Sequence, residues 1–258
     1  MEFLKASYLN TTTQLAVNSN TLSASNLFNR DPAYQYSSDG MDNDLTTTSI
    51  VITFDSTISV SRIALVDMNF KEFRLFYNGA TANAFTLTNA DTTTSVYTGN
   101  TDANKYFRFA TVMCSSITIE AKKTFIVDQE KFLGLLVPTD LILELSRVPS
   151  AQQYKPRLVP KQVVHKLSDG GTRIHNVKKK WETSIDLDYV SQSERDTIYD
   201  DLYASDEAFN FCPFGTVTSW SGQIFEAVWD GPFTFYEFTD NNANVGFSGK
   251  ISLKETPV

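Results

Sequence analysis

The sequence predicts a mainly β protein built from two successive domains, and three observations carry that expectation. Apolar residues recur at every second position in short runs: Ile50, Ile52 and Phe54, then Ile63 and Leu65, then Phe73, Leu75 and Tyr77. This is the period of half-buried strands. Phe (19) and Tyr (11) are abundant, Thr runs occur at 11–13, 46–48 and 92–94, and these residue types favour a pleated surface. Only one segment carries a helical pattern. With 258 residues there is chain enough for two ordinary cores.

Residues 1–148 read as the first domain. An irregular loop, Asn26–Ser38, precedes strand candidates at 49–54, 60–66, 72–78, 83–88, 94–97, 105–112 and 116–121. Turn residues separate them at Gly79, Asn89–Asp91 and Gly99–Asp102. The apolar run 132–137 fits a last strand or a short buried helix, because periodicity does not separate the two at that length. Residues 149–156 form the linker, within a proline-bearing stretch that begins at Ser146.

Residues 157–258 read as a second β domain. Two strand-like runs, 157–167 and 172–190, flank Ser168-Asp-Gly-Gly171, a hairpin turn signal. Ser191-Gln-Ser-Glu194 is a capping box that starts a helix over about 191–205, with Ile198 and Leu202 on its apolar face. Short strands follow near 209–211, 224–229, 233–238 and 246–253. Phe247, Gly249, Ile251 and Leu253 share one face of the last.

Composition excludes several function classes. A net charge of −8 disfavours direct nucleic-acid binding, which needs a basic footprint. No apolar run is long enough to span a membrane. The start Met1-Glu-Phe-Leu-Lys, with an acid at position 2, is unlike a secretory signal. Cys114 and Cys212 fall in different expected domains, so no disulfide is expected and a reducing compartment fits.

The wording Ser61-Arg-Ile-Ala-Leu, then Asn69-Phe-Lys-Glu-Phe-Arg-Leu-Phe-Tyr-Asn-Gly79, resembles the discoidin or galactose-binding-like jelly roll in the version found in bacteriophage tail and baseplate proteins. Lys105-Tyr-Phe-Arg-Phe-Ala and Ser116-Ile-Thr-Ile-Glu120 resemble its closing strands. The second half, a long hairpin, one helix and further strands ending Gly249-Lys-Ile-Ser-Leu-Lys-Glu-Thr256, resembles the tail-tube-like fold of tube, distal-tail and hub proteins. The resemblance implies a jelly-roll β-sandwich followed by a tail-tube-like domain. It also implies a structural component of a phage tail tip or baseplate, assembled in the host cytoplasm and resident in the virion. The implied partners are further copies in a homo-oligomeric ring, a hexamer by family, together with tail tube, hub or baseplate proteins. The alternative it brings is a carbohydrate-binding adhesin that meets a host glycan.

Candidate residues follow from both readings. Arg30, Asp31, Tyr34 and Tyr36 could stack on and hydrogen-bond a sugar, or the tyrosines could plug the base of the sandwich. The segment 157–180 has a net charge of +6 and 182–207 of −8. These blocks make Lys178, Lys179, Lys180, Asp169 and Gly170 on the hairpin, and Asp196, Asp200 and Asp201 on the helix, a candidate assembly interface. His165 and His175 flank the turn, but no third ligand has metal spacing, and no metal or cofactor is expected. The acidic run Asp39–Asp44 reads as a solvated turn, with calcium as the alternative. Asp186 and Asp188 share a strand face by period 2, a pair that a glycosidase could use but that alternation on any exposed strand also produces. No nucleophile, phosphate-loop or zinc-protease motif is present, so no enzyme is expected.

Overall fold

The computed structural model describes residues 1–39, 44–88, 93–166, 168, 171–215, 220–239 and 245–256. The protein is mainly β and antiparallel, with one α-helix among the described residues, and matches the expected sandwich class. It divides into two compact units: Met1–Leu141 with Cys212–Ile224, and Ile142–Phe211 with Phe225–Pro257. The first therefore closes at Leu141 rather than 148, and a segment expected in the second domain returns to it.

The first unit contains β1 (Glu2–Leu4), β2 (Leu15–Val17), β3 (Tyr36–Ser37), β4 (Thr48–Met68), β5 (Phe70–Tyr77), β6 (Val96–Tyr97), β7 (Lys105–Thr124) and β8 (Phe132–Thr139). Its sheet runs β3-β8-β4-β7-β5-β6, with β2 on β4. Alternation alone divided β4 and β7 into two runs each. In the structure each is one strand, because register shifts at Thr53/Ile58 and Val60/Arg62 absorb the break without ending the ladder. Such bulges bend a strand and increase its twist. The first part of β4 pairs β2 and β7, and its last part pairs β7 and β8. The run 132–137 is a strand, β8.

The expected strand at 83–88 is absent: Ala84, Thr86 and Leu87 make only isolated bridges. Its alternation reflected burial of Phe85 and Leu87, not a ladder. The loop 26–38 is more ordered than expected, with a 3-10 segment Thr21–Phe28 before it and β3 within it. Asn78 and Gly79 close β5 with φ of 53° and 67°, the left-handed pair that Asn-Gly turns supply.

The core of this unit takes the alternate residues of its strands, among them Ile50, Ile52, Ile63, Leu65, Phe73, Leu75, Phe107, Ile117 and Ile119. A second cluster joins Leu4, Ala64, Tyr106 and Val137 to Cys212, Trp220 and Ile224. Cys212 therefore shares a unit with Cys114; both are buried and free. Beside this cluster the Glu2 carboxylate is fully buried. Arg62 reaches it with Nε at 2.9 Å and Nη2 at 2.8 Å, and Arg108 Nε lies 3.1 Å from the same oxygen. A buried charge of this kind persists only when paired. A Cβ on Gly215 would sit 2.6 Å from Glu2 Oε2 and from Tyr106 Cε1, so the returning segment passes there as glycine.

The second unit contains most of β9 (Leu141–Glu144), then β10 (Tyr154–Lys166), β11 (Thr172–Val190), α1 (Gln192–Thr197), most of β12 (Phe209–Cys212), β13 (Phe225–Trp229), β14 (Thr234–Thr239) and β15 (Val245–Glu255). β10 begins at Tyr154, inside the expected linker. β10 and β11 form the expected long hairpin, β11 pairs β15, and β15 also pairs β13 and β14. Ser191 caps α1 as expected: its hydroxyl accepts from Glu194 N–H at 3.2 Å, and the Glu194 carboxylate accepts from Ser191 N–H at 3.1 Å. The helix does not run on as α to 205. It becomes a π turn over Ile198–Tyr203, closed by Ala204 N–H donating to Tyr199 O. Ile198 and Leu202 are buried, as their spacing predicts, while Tyr199 and Tyr203 both flank Phe233. Ile251 and Leu253 of β15 enter the core, and Gly249 passes under the Phe235 ring, where a Cβ would come within 2.6 Å of it.

Candidate functional site

A recess lies on the outer face of the first unit's sheet, and strand register builds it. Arg74 on β5 stands directly opposite Val96 on β6 and Glu120 on β7, and Glu120 stands opposite Ser49 on β4. One row of side chains thus crosses four strands. Glu72, two residues from Arg74, shares its face. Between them Phe73 points inward and is buried. The register shift between Glu72 and Phe73 leaves Lys122 as an extra residue on β7, so consecutive Lys122 and Lys123 both reach Glu72.

The resulting cleft has a volume of about 340 Å³ and is lined by Thr47, Glu72, Arg74, Val96, Thr98, Glu120 and Lys122, with Phe73 and Tyr97 beneath. Arg74 Nε donates to Glu120 Oε2 at 2.6 Å, and the guanidinium lies 5.6 Å from the Phe76 ring centre. Lys123 Nζ lies 2.6 Å from Glu72 Oε2 and Lys122 Nζ 3.7 Å from Oε1. The Lys123 hydrogen bond holds the Glu72 carboxyl below its ordinary range against the opposing effect of burial, and Lys122 adds to it. Val96 is 44% exposed and offers an apolar wall. Such a surface displays fixed donors and acceptors beside an apolar patch.

The sugar-contact residues expected from sequence do not converge. Tyr36 is fully buried in the core, and its hydroxyl donates to Ser19 O at 2.8 Å. Asp31 is occupied within its own turn, accepting from Ala33 N–H at 3.0 Å. Tyr34 is exposed, and Arg30 Nη1 lies 3.5 Å from Ile224 O. Tyr36 thus plugs the sandwich, as its competing reading held.

Of the expected assembly residues, Asp169, Gly170 and the side chain of Lys178 lie outside the described residues. Lys179 is exposed and Lys180 half-buried. Asp200 and Asp201 are exposed, and Asp196 accepts from Arg195 Nη1 at 2.7 Å. Part of the opposite charge is spent inside the hairpin itself: Arg157 pairs with Glu182 at 2.7 Å and Lys155 with Asp186 at 2.5 Å. Asp188 accepts from Gln153. His165 stands opposite Arg173, not His175. Asp39 accepts from Asn20 N–H and Asp44 from Thr124 N–H, while 40–43 lie outside the described residues. Among the described residues no three His, Cys, Asp or Glu side chains converge, and no helix is long and apolar enough to cross a membrane. Burial pushes the Cys114 thiol up to about 11 and that of Cys212, aided by the Glu2 charge, to about 12.

Sequence reading missed Glu72, Arg74, Glu120 and Lys122. Their signal was the charged alternation of Glu72-Phe-Arg74 and Glu120-Ala-Lys122, which marks a polar strand face but not which faces meet.

No protein-family model matches the chain, and no curated protein matches it. Solved structures do. Chitosan-binding module 1 of a chitosanase/glucanase from Paenibacillus sp. IK-5, in a mutant form, is 12% identical over 53% of this chain and 98% of its own, with a TM-score of 0.40. Module 2 of the same enzyme, in complex with chitotriose, is 17% identical over 48% and 93%, at 0.37. A pectin-binding carbohydrate-binding module is 12% identical over 48% and 87%, at 0.33. These three structures, each aligned to about half of the chain, are carbohydrate-binding modules, and none of the three is a tail or baseplate protein. Likenesses this distant carry no information on ligand.

Proposed function

We propose that this chain is a non-catalytic glycan-binding protein, with the cleft on β5, β6 and β7 as its binding surface. The observation that carries the reading is the row Val96–Arg74–Glu120, flanked by Glu72 and Lys122 around about 340 Å³ of open space. Sugar hydroxyls donate and accept, so paired carboxylates and cations fixed on rigid strands suit them. Val96 supplies contact for the apolar face of a pyranose. Sites for small ligands combine such apolar walls with a few placed polar groups. Catalysis is not part of the proposal: Glu72 and Glu120 enter it as polar contacts, each engaged by a cation. The test is a two-dimensional NMR titration of the full chain with mixed oligosaccharides. Shifts confined to Arg74, Val96, Glu120, Lys122 and their neighbours support the reading. No shifts, or shifts centred elsewhere, overturn it.

A second reading, a structural component of a phage tail tip or baseplate, is favoured by the hairpin. β11 pairs β15 only from Glu182 onward, whereas β10 and β11 pair as far as Lys166 and Thr172. The outer part is a two-stranded ribbon with Leu158 and Val164 more than half exposed. Unpaired strand edges promote association. In this reading the ribbon joins copies of the chain into a ring, a hexamer, and docks tail tube, hub or baseplate proteins within the virion. Glycan binding and tail residence are compatible in one adhesin. Sedimentation of the purified chain tests the ring: a monomer at all concentrations counts against it.

A further inference from the structure

We infer that the cleft selects neutral glycans over charged ones, an inference that rests on the glycan-binding reading above. The lining carries two carboxylates and two cations, so it holds no net charge. Each carboxylate is matched in place: Glu120 by Arg74 at 2.6 Å, and Glu72 by Lys123 at 2.6 Å with Lys122 at 3.7 Å. Lys123, at the edge, lies in the field of Asp44 as well as of Glu72.

What remains on display after pairing is polar but not charged in sum. Arg74 bonds to Glu120 through Nε, and its two terminal nitrogens make no hydrogen bond among the described residues. Glu120 uses Oε2, which leaves Oε1 as an acceptor. Donor and acceptor therefore stand side by side, and a hydroxyl, or a vicinal pair, satisfies both. A uronate entering the cleft would face Glu120 and Glu72 as well as the cations. An amino sugar would face Arg74 and Lys122. Either brings a charge that must shed water without a net countercharge, which costs more than it returns.

The test uses the full chain on an array of neutral hexose and N-acetylhexosamine oligomers, glucosamine oligomers and oligogalacturonates. Neutral oligomers are expected to bind at least about tenfold tighter than either charged class. Their affinity should be flat between about 0.05 and about 0.5 M salt, where screened charge would show. Glu120→Gln leaves Arg74 unneutralised and should raise oligogalacturonate binding about tenfold. Arg74→Gln should do the same for glucosamine oligomers, and melting curves of both variants confirm that they fold. Equal or tighter binding of a charged class by the parent chain, or no change of preference in either folded variant, overturns the selectivity while leaving glycan binding intact. No binding of any class overturns both.

Discussion

Arg74 and Glu120 face each other directly across β5 and β7, and their side chains close to 2.6 Å on a solvent-facing surface. With 46% and 24% of the side chains exposed, the pair stabilises the fold little, by about 0.2–1 kcal/mol. In the proposed glycan site the pair would have a role that stability does not give it.

Those two properties separate in one experiment. Arg74→Ala and Glu120→Ala should each lower the melting temperature by no more than about 3 °C. Each should weaken glycan binding by about tenfold or more. Calorimetric melting and titration of the same samples would decide. A variant that loses stability heavily and keeps its affinity would remove the pair from the site.

In the glycan-binding reading, Glu72 sets the pH range. Its folded pKa is depressed by Lys123, so the interaction is fully present above the ordinary value of 4.5 and is lost as pH falls through the folded value. Glycan affinity should be level from neutral pH down to about 5 and should fall below about 4.5. Glu72→Gln should abolish that acid limb. A limb that persists in the variant would assign the dependence to another group.

Glu2 is a different kind of carboxylate, fully buried between Arg62 and Arg108. Glu2→Ala strands two guanidinium groups and should cost about 3–5 kcal/mol, or roughly 10 °C in melting temperature. Glu2→Gln keeps the shape and loses the charge, and should fall between the two. Thermal melts that leave Glu2→Ala within about 2 °C of the parent would show that the guanidinium groups find other partners.

The division of the chain makes a prediction for fragments. Residues 1–148 match the boundary expected from sequence but omit Cys212, Trp220 and Ile224, which pack with Leu4, Ala64 and Tyr106. The fragment alone should melt well below the whole chain and expose apolar surface to a hydrophobic dye. A fragment that melts cooperatively at the parent temperature would show that the returning segment is dispensable. Proteolysis of the whole chain near Gln152–Lys155, a site proposed from composition, should leave both pieces associated under native conditions.

Much was legible because it is local. Two-residue alternation placed β5, β15 and the two halves of β4, since a strand half-buried on one face repeats with that period wherever it lies in the fold. Ser191 and Glu194 marked the start of α1 because a capping box spans only its own first turn. The hairpin was signalled by its turn residues. The same local signals misled at 83–88, where burial of Phe85 and Leu87 imitated a strand, and at Tyr36, whose ring fits a sugar platform as well as a core.

Sequence by itself determined the β class, the hairpin and the capped helix, because propensity, periodicity and caps act over a few residues. Tertiary structure alone decided the cleft, the buried charge cluster and the division of the chain. Arg74 and Glu120 are 46 residues apart, and Arg62 and Glu2 are 60 apart. Whether such charges meet depends on strand register, and a one-residue slip would turn Arg74 from the cleft into the core. The bulge that brings Lys122 and Lys123 together onto Glu72 has no signature in either strand taken alone. It exists only where β5 and β7 pair, and only the folded sheet brings those strands together.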